Sequence, residues 1–298
     1  MKRGILDIIR SGKILVADGA TGTNLHSRGL NSGTPAEQWV LDHPKEIIQL
    51  HRDFIQAGSQ LLLTCTFGAS AIKLESFNLE KKTKQINLTA VQLAKEAVED
   101  KEILIAGSVG PSGKLLEPYG PLGETALRDA FLEQISYLIE GGVDLLVIET
   151  QYDLREAEII IQAAKSVKHD IPLVCSFSYD RGTKTMMGIT PEMVVERLSS
   201  IVDIIGINCG RSLEDNLEVL KKMNVLSSKP IWYKPNAGLP MRDSAGNTVF
   251  HVQPKEMGNQ VPHWVENGAK IVGGCCGTSP SHVHEIYIQV QQINQIKN

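Results

Sequence analysis

The sequence predicts an α/β protein of the (β/α)8 TIM barrel class, and three features of the chain favour that architecture. Eight short apolar runs rich in Ile, Val and Leu recur along the 298 residues, as expected for parallel strands buried on both faces. Amphipathic helical patterns separate most of these runs, and several end in glycine just before the next run. Polar or sulfur-containing residues follow the runs, where barrel enzymes carry their catalytic side chains.

The apolar runs give the strand positions, and two of the helices that follow them have clear start signals. Thr190-Pro191 and Ser279-Pro280 each combine a capping side chain with a proline at the first helical position. We therefore expect helices to begin at these two places. The predicted strands cover residues 14–17, 61–66, 103–107, 145–149, 173–177, 204–208, 231–234 and 269–273.

No stretch of the chain has the composition of a linker, so residues 1–298 are predicted to form a single domain. Two connections are longer than usual, 111–124 and 236–255, and the second contains a turn signal at 243–247. Both follow predicted strands, so we expect them at the C-terminal face of the barrel. Long ordered loops at that face usually bind substrate or act as lids.

Composition and charge exclude two classes of partner. The net charge is −4 and the pI is about 6.1, which argues against nucleic acid and against an anionic membrane as the main partner. The first residues form an amphipathic turn rather than the apolar core of a signal peptide, and no run reaches the ~20 apolar residues of a membrane span. We therefore expect a cytoplasmic protein.

The chain has five cysteines, an odd number that does not fit a disulfide framework. Cys65 and Cys175 are expected to be small buried side chains. Cys209 lies in Asn-Cys-Gly, and Cys275 and Cys276 lie in Gly-Gly-Cys-Cys-Gly. The glycines allow the chain to leave strand geometry, so that two adjacent thiols can face one ion. Three thiolates prefer zinc, so we predict one zinc ion per chain on Cys209, Cys275 and Cys276.

Three thiolates around one zinc ion leave a net negative charge, which makes the ion a poor generator of hydroxide. Such a site suits a further thiol, which it would bind as the nucleophilic thiolate. The constellation therefore predicts activation of a substrate thiol for attack on an electrophilic carbon. A closed structural zinc site, with His282 or His284 as fourth ligand, is the alternative. These histidines follow Pro280 on a predicted helix, where we expect surface positions.

Three motifs together resemble the homocysteine S-methyltransferase family. They are Asp-Gly-Ala-Thr-Gly-Thr at 18–23, Asn-Cys-Gly at 208–210 and Gly-Gly-Cys-Cys-Gly-Thr at 273–278, and they span almost the whole chain. The resemblance implies a zinc-dependent (β/α)8 barrel that methylates homocysteine to methionine.

Within that family the chain is most similar to the homocysteine-binding domain of cobalamin-dependent methionine synthase. The similarity lies in Thr-Cys-Thr-Phe-Gly-Ala at 64–69, Gly-Pro-Ser-Gly-Lys at 110–114 and Pro-Asn-Ala-Gly at 235–238. Synthases of this kind carry folate, cobalamin and reactivation domains after the homocysteine domain, whereas this chain stops at Asn298.

The resemblance also implies roles for residues at the barrel mouth. Asn236 would be the fourth zinc ligand before substrate arrives. The amino group of homocysteine would meet Glu149 and Asp18. Its carboxylate would meet backbone N–H groups around Gly19 and Phe67, with Thr64 lining the site.

The two carboxylates have other interpretations from the residues themselves. Glu149 ends an apolar run, so a barrel would deliver it to the mouth, where a carboxylate can pair with an ammonium group. It could instead cap the next helix or pair with Arg155. Asp18 could be a turn residue that bonds the N–H groups following it.

The sequence therefore predicts an enzyme in which the thiolate of homocysteine displaces a methyl group from its donor. The resemblance implies a methylcorrinoid donor linked to methyltetrahydrofolate, with methylcobalamin carried by a separate corrinoid protein. The alternatives are S-methylmethionine, or another sulfonium or betaine donor. A non-catalytic barrel with structural zinc that binds corrinoid proteins is a third possibility, from a different functional class.

Overall fold

The computed structural model describes residues 4–242 and 248–296. Eight parallel strands form one sheet, and each corresponds to a predicted run. A short antiparallel hairpin, β8 with β9, lies in the connection after β7. The strands are β1 (Leu15–Val16), β2 (Leu61–Leu63), β3 (Leu104–Val109), β4 (Leu145–Gln151), β5 (Leu173–Phe177), β6 (Ile204–Cys209), β7 (Ile231–Pro235), β8 (Met241–Arg242), β9 (Thr248–Val249) and β10 (Ala269–Val272).

The sheet closes on itself. Its strand order is β1-β10-β7-β6-β5-β4-β3-β2. A parallel bridge between Ala17 and Leu61 joins the two end strands, and Gln60 N–H donates to Val16 O at 2.8 Å beside it. Closure leaves the eight-stranded sheet without an exposed edge. The prediction of a single-domain (β/α)8 TIM barrel is confirmed.

Helices cover the outside of the barrel. The predicted starts are confirmed: α9 begins at Pro191, with the Thr190 hydroxyl accepting from Met193 N–H, and α12 begins at Pro280. The helices are α1 (Ile5–Arg10), α2 (Thr21–Ser27), α3 (Ala36–Asp42), α4 (Pro44–Gln56), α5 (Ala71–Leu74), α6 (Thr83–Val98), α7 (Glu124–Gly141), α8 (Leu154–Val167), α9 (Pro191–Leu198), α10 (Leu213–Leu226), α11 (Pro254–Glu266) and α12 (Pro280–Ile296). Among residues 4–242 and 248–296, no helix combines the length and apolar character required to cross a membrane.

The second strand is shorter than predicted. We expected strand 61–66, but β2 ends at Leu63. Thr64 N–H still donates to Ala106 O at 2.9 Å, whereas Thr66 N–H turns back to Thr64 O at 2.8 Å. The local turn breaks the ladder, so the following segment becomes part of the barrel mouth.

The barrel lumen has an apolar lower part. Inward side chains from all eight barrel strands form one cluster, with Trp232 fully buried within it. Ile5 and Ile9 of α1 belong to the same cluster, so this short helix covers the N-terminal end of the barrel. A second, larger cluster lies between the strands and the surrounding helices.

Above the apolar cluster the lumen becomes polar, because alternate residues of a strand face the same side. Two positions beyond Val147 comes Glu149, and two positions beyond Trp232 comes Lys234. We call the five buried residues at this level the upper polar layer. They are Ser108, Glu149, Ser176, Asn208 and Lys234.

The long connection after β3 is held against α8. Ser112 N–H donates to the buried Glu156 carboxylate at 2.6 Å, and Arg155 pairs with Glu124 and donates to Glu117 O. The connection after β7 contains the β8–β9 hairpin. The turn predicted at 243–247 lies outside the described residues.

Candidate active site

A cavity of about 450 Å³ opens at the C-terminal face of the barrel. Three members of the upper polar layer, Ser108, Glu149 and Lys234, line it. The cavity also brings together most of the residues predicted to form the site. Those on its wall are Gly19, Thr64, Phe67, Glu149, Cys209, Cys275 and Cys276.

Cys209 reaches the cavity through an unusual backbone conformation. It is the last residue of β6 and has φ +57°, and Gly210 follows with φ +79°. A side-chain residue seldom adopts this left-handed region without a compensating role. Asn216 fixes the turn, because its Nδ2 donates to Cys209 O at 2.7 Å. The turn directs the thiol toward the barrel axis.

The adjacent cysteines face the same centre because the chain leaves strand geometry after β10. Cys275 N–H donates to Pro235 O at 2.8 Å, and the Thr278 hydroxyl donates to Cys275 O at 2.7 Å. A Cβ at Gly274 would lie 2.4 Å from Thr278 Oγ1, so this close return of the chain requires glycine. The predicted relaxation of strand geometry at the glycines is therefore observed.

The three thiols form one cluster. Their sulfur atoms all lie within 4.8 Å of one another, and Cys209 Sγ lies 2.8 Å from Cys275 Sγ. Hydrogen bonds from the other two thiols lower the pKa of Cys276, whereas hydrogen bonds to Cys275 and Cys276 raise the pKa of Cys209. Within the described part of the chain, no other group of three His, Cys, Asp or Glu side chains could hold a metal ion.

The donor set fits zinc. Three sulfur ligands are the usual preference of that ion. Asn236 lies beside them: its N–H donates to Cys209 O at 3.3 Å, and its Nδ2 donates to Gly210 O at 2.9 Å. Its Oδ1 is buried and has no hydrogen-bond partner among residues 4–242 and 248–296. An unpartnered buried oxygen on a residue hydrogen-bonded to Cys209 O is a candidate fourth ligand.

Neither histidine completes a closed site. The expectation of a surface position is correct for His284 and wrong for His282, which is buried beneath the loop at Val252. His282 Nδ1 accepts from Ser279 N–H at 3.1 Å, so Nε2 carries the proton and donates to Val252 O at 2.9 Å. With both ring nitrogens engaged, this side chain offers no atom to a metal.

Glu149 is a buried carboxylate on the cavity wall. Its Oε1 accepts from the Ser108 hydroxyl at 2.5 Å. Burial raises its pKa to about 7, although the nearby Lys234 ammonium opposes the shift. The next helix is capped by Asp153 rather than by Glu149. Arg155 pairs with a carboxylate outside the cavity, so neither alternative interpretation of Glu149 holds.

Asp18 is buried and is not among the residues that line the cavity. Its Oδ2 accepts from Leu63 N–H at 2.8 Å, and its Oδ1 accepts from Lys234 Nζ at 2.6 Å. Both partners lie on other strands, so Asp18 is not the simple turn residue considered from the sequence. Burial lowers the pKa of Lys234, but Asp18 and Glu149 raise it and the net shift is upward. The two buried groups therefore form an ion pair.

The remaining predicted substrate-contact residues are Gly19, Thr64 and Phe67. A Cβ at Gly19 would lie 2.8 Å from the Phe54 ring, so the backbone can run along the cavity only without a side chain. The Thr64 hydroxyl accepts from Ser108 N–H at 3.1 Å. Phe67 is partly exposed at the mouth.

Sequence reasoning missed three polar groups near the cavity. Lys234 could have been recognised from the sequence, because a lysine within the apolar strand Ile231–Pro235 needs a partner of opposite charge. Asn208 was noted only as a strand end and as the first residue of the Asn-Cys-Gly motif. Glu37 lines the cavity and accepts from Gly68 N–H at 2.6 Å. It could not have been predicted, because no sequence pattern connects its helix to the site.

The chain is similar in sequence to a known protein family and to curated proteins, and similar in structure to solved proteins. The family model described as homocysteine S-methyltransferase matches residues 15–290. The chain is 26% identical over 308 residues to the methionine synthase of Mycobacterium tuberculosis, covering 98% of this chain and 26% of that protein. It is 27% identical over 302 residues to the Mycobacterium leprae methionine synthase, with 95% and 25% covered. The chain thus spans about a quarter of these relatives.

Solved structures confirm the fold. The metallated form of the homocysteine methyltransferase MmuM from Escherichia coli superposes with a TM-score of 0.80 at 24% identity, covering 95% of this chain and 98% of that one. Its apo form gives a TM-score of 0.73 at 23% identity, covering 96% and 98%.

Proposed function

The chain belongs to the homocysteine S-methyltransferase family, and from that premise we propose that it transfers a methyl group to the sulfur of L-homocysteine to give L-methionine. One observation carries this proposal. Three thiols meet at the wall of a cavity that also holds a buried carboxylate, which are the groups needed for a substrate with a thiol and an ammonium group.

We propose that one zinc ion is held by Cys209, Cys275 and Cys276, with Asn236 Oδ1 as a fourth ligand until the substrate sulfur replaces it. When bound, zinc would lower the pKa of the substrate thiol and keep its sulfur available as a nucleophile. X-ray absorption at the zinc edge tests this arrangement. Addition of homocysteine should exchange one light-atom ligand for a fourth sulfur, and an unchanged spectrum would indicate a closed structural site.

Around this centre the side chains would orient the amino acid. The Glu149 carboxylate would accept the ammonium group, and the Lys234 cation beside it favours the ionised form that this contact needs. Backbone N–H groups around Gly19 and Phe67 would meet the substrate carboxylate. Asp18 then acts indirectly, by holding Lys234 in place. Fixing both ends of homocysteine would orient its sulfur for in-line attack on a methyl carbon.

We propose that the donor is methylcobalamin on a separate corrinoid protein, charged from methyltetrahydrofolate. The rim of the cavity supports a protein partner, because the loops at this face expose large apolar side chains. These are Phe67, Leu115, Tyr119, Met186, Met187, Leu239 and Met241. A cytoplasmic location is consistent with this function, since the three thiols must stay reduced.

A small cationic donor, such as S-methylmethionine or a betaine, is the second candidate. The cavity of about 450 Å³ is larger than homocysteine needs, and the buried Glu37 carboxylate on its wall could face a positive charge.

Methionine formation by the zinc-loaded protein separates these donors. Homocysteine is supplied with methylcobalamin, S-methylmethionine or betaine in parallel reactions. Turnover with methylcobalamin alone supports the corrinoid route, and turnover with a free cationic donor supports the second candidate. Absence of methionine with every donor would contradict the proposed function.

A further inference from the structure

Asn208 lies directly beneath the thiol cluster and is fully buried. Its Nδ2 is 3.8 Å from Cys209 Sγ and 3.9 Å from Cys275 Sγ, within reach of N–H···S hydrogen bonds to both sulfurs. No such contact from Asn208 to Cys276 is present. One carboxamide thus touches two of the three proposed zinc ligands.

The orientation of this carboxamide is fixed by its other partners. Oδ1 accepts from the Thr150 backbone N–H at 2.8 Å and from the Ser176 hydroxyl at 2.5 Å. A backbone N–H can only donate, so a flipped amide would bring two donors together. Nδ2 must therefore face the sulfurs, and its other hydrogen is donated to Thr150 Oγ1 at 2.7 Å.

Thr150, which holds the Asn208 carboxamide, has a strained backbone conformation. It has φ +59°, a left-handed conformation that is rare for a β-branched residue. Such strain persists only where the surroundings enforce it. The backbone N–H and the side-chain hydroxyl of Thr150 both bond the Asn208 carboxamide. These two contacts account for the strained conformation.

We propose that Asn208 is a positioning residue that donates to Cys209 and Cys275, thereby lowering the nucleophilicity of these two sulfurs. This inference rests on the proposed function, in which protein thiolates and the substrate thiolate face the same methyl donor. A hydrogen bond withdraws electron density from a thiolate. A substrate sulfur that receives no such hydrogen bond would then be methylated in preference to Cys209 and Cys275.

Alkylation of the zinc-loaded protein by iodomethane tests the proposal without homocysteine. Each attack forms an S–CH3 bond from a sulfur lone pair as the C–I bond breaks and iodide leaves with its electron pair. Bound zinc would keep all three sulfurs deprotonated, so the ordinary thiol equilibria of the cysteines would not decide the order of methylation. Peptide mass spectrometry with fragment ions separates Cys275 from Cys276. Cys276 should be methylated first, and equal rates at all three cysteines would overturn the proposal.

Asn208→Asp is the sharpest variant, because an Asp can still accept from Thr150 and Ser176 but has no N–H for the sulfurs. Methylation of Cys209 and Cys275 relative to Cys276 should rise roughly fivefold, as expected for loss of one ordinary hydrogen bond. Asn208→Ala should give the same direction of change without adding charge. Zinc affinity, measured by competition with a chromophoric chelator, should fall by about 10- to 100-fold in both variants.

Ser176→Ala is the matched control. It removes one bond to Asn208 Oδ1 while leaving Thr150 and both N–H···S contacts in place, so the methylation ratio should not change. An equal change in this control would show general loosening of the barrel mouth and would overturn the proposal. If the Asn208 variants do not fold, the order of methylation in the wild-type protein still decides. Because the assay needs no substrate, failure of methionine formation would leave its result intact.

Discussion

Replacing Lys234 with methionine would leave the Asp18 carboxylate buried without its cation. The two side chains are 3% and 2% exposed, and their charged atoms lie 2.6 Å apart. Methionine has a similar length and matches the apolar surroundings of Trp232 beneath it. The substitution therefore removes the charge with little change in packing volume.

The size of the effect follows from burial. Breaking a buried ion pair by removing one partner costs about 3–5 kcal/mol, since it leaves an uncompensated charge. Asp18 would keep one hydrogen bond, from Leu63 N–H, which places the expected loss near the lower end, about 3 kcal/mol. Removing both charges in Asp18→Asn/Lys234→Met avoids the isolated charge, so the double variant should lie within about 1 kcal/mol of the wild type.

Urea unfolding at neutral pH, followed by circular dichroism, measures all four proteins in one double-mutant cycle. The cycle should show a large favourable coupling between positions 18 and 234. A Lys234→Met protein within about 1 kcal/mol of the wild type, at an unchanged denaturant slope, would refute the reasoning. A double variant less stable than either single variant would refute it as well.

The further predictions concern the site and its loop. Cys209→Ala should lose zinc and methionine formation together, and full zinc content by atomic absorption would contradict the ligand assignment. Calorimetry should show that wild-type homocysteine binding strengthens as pH rises through about 7, where the Glu149 carboxylate ionises. Glu149→Gln should bind homocysteine about 10-fold more weakly and keep its zinc, since a charge-assisted contact is lost, and it should lack this pH step. Asn236→Ala should weaken zinc binding only in the absence of homocysteine, and equal weakening with homocysteine present in the chelator competition would argue against an exchangeable ligand. Glu156→Ala leaves Ser112 N–H without its acceptor, so the 111–124 connection should be cut faster by limited proteolysis, and an unchanged rate would show that it is held elsewhere.

The order and position of the strands were readable in the sequence because they depend on local patterns. Continuous apolar runs, glycine at helix ends and proline after a capping residue each reflect short-range preferences. The same is true of the Gly-Gly-Cys-Cys-Gly segment, whose glycines indicate a departure from strand geometry that the structure shows at Gly274. A barrel then requires the ends of its strands to meet at one face, so the meeting of the thiols with Glu149 was predictable.

The side chains that pair across the barrel could not be predicted from local sequence patterns. Asp18 and Lys234 are 216 positions apart, and Asn208 lies 67 positions from Cys275. Strand periodicity states which face each residue occupies, but it does not state which strands become neighbours or how their registers align. Closure of the barrel supplies that information.

The sequence by itself determined the fold class, the approximate positions of the eight barrel strands, the starts of α9 and α12, and the three cysteines that meet in one cluster. Only the tertiary structure showed that Asp18 bonds Leu63 and Lys234, that both ring nitrogens of His282 are hydrogen-bonded, and that the Asn208 amide faces two sulfurs. These are matters of angle and distance between side chains remote in the chain. A displacement of about 1 Å is enough to break a hydrogen bond. No sequence pattern specifies atomic positions to that precision.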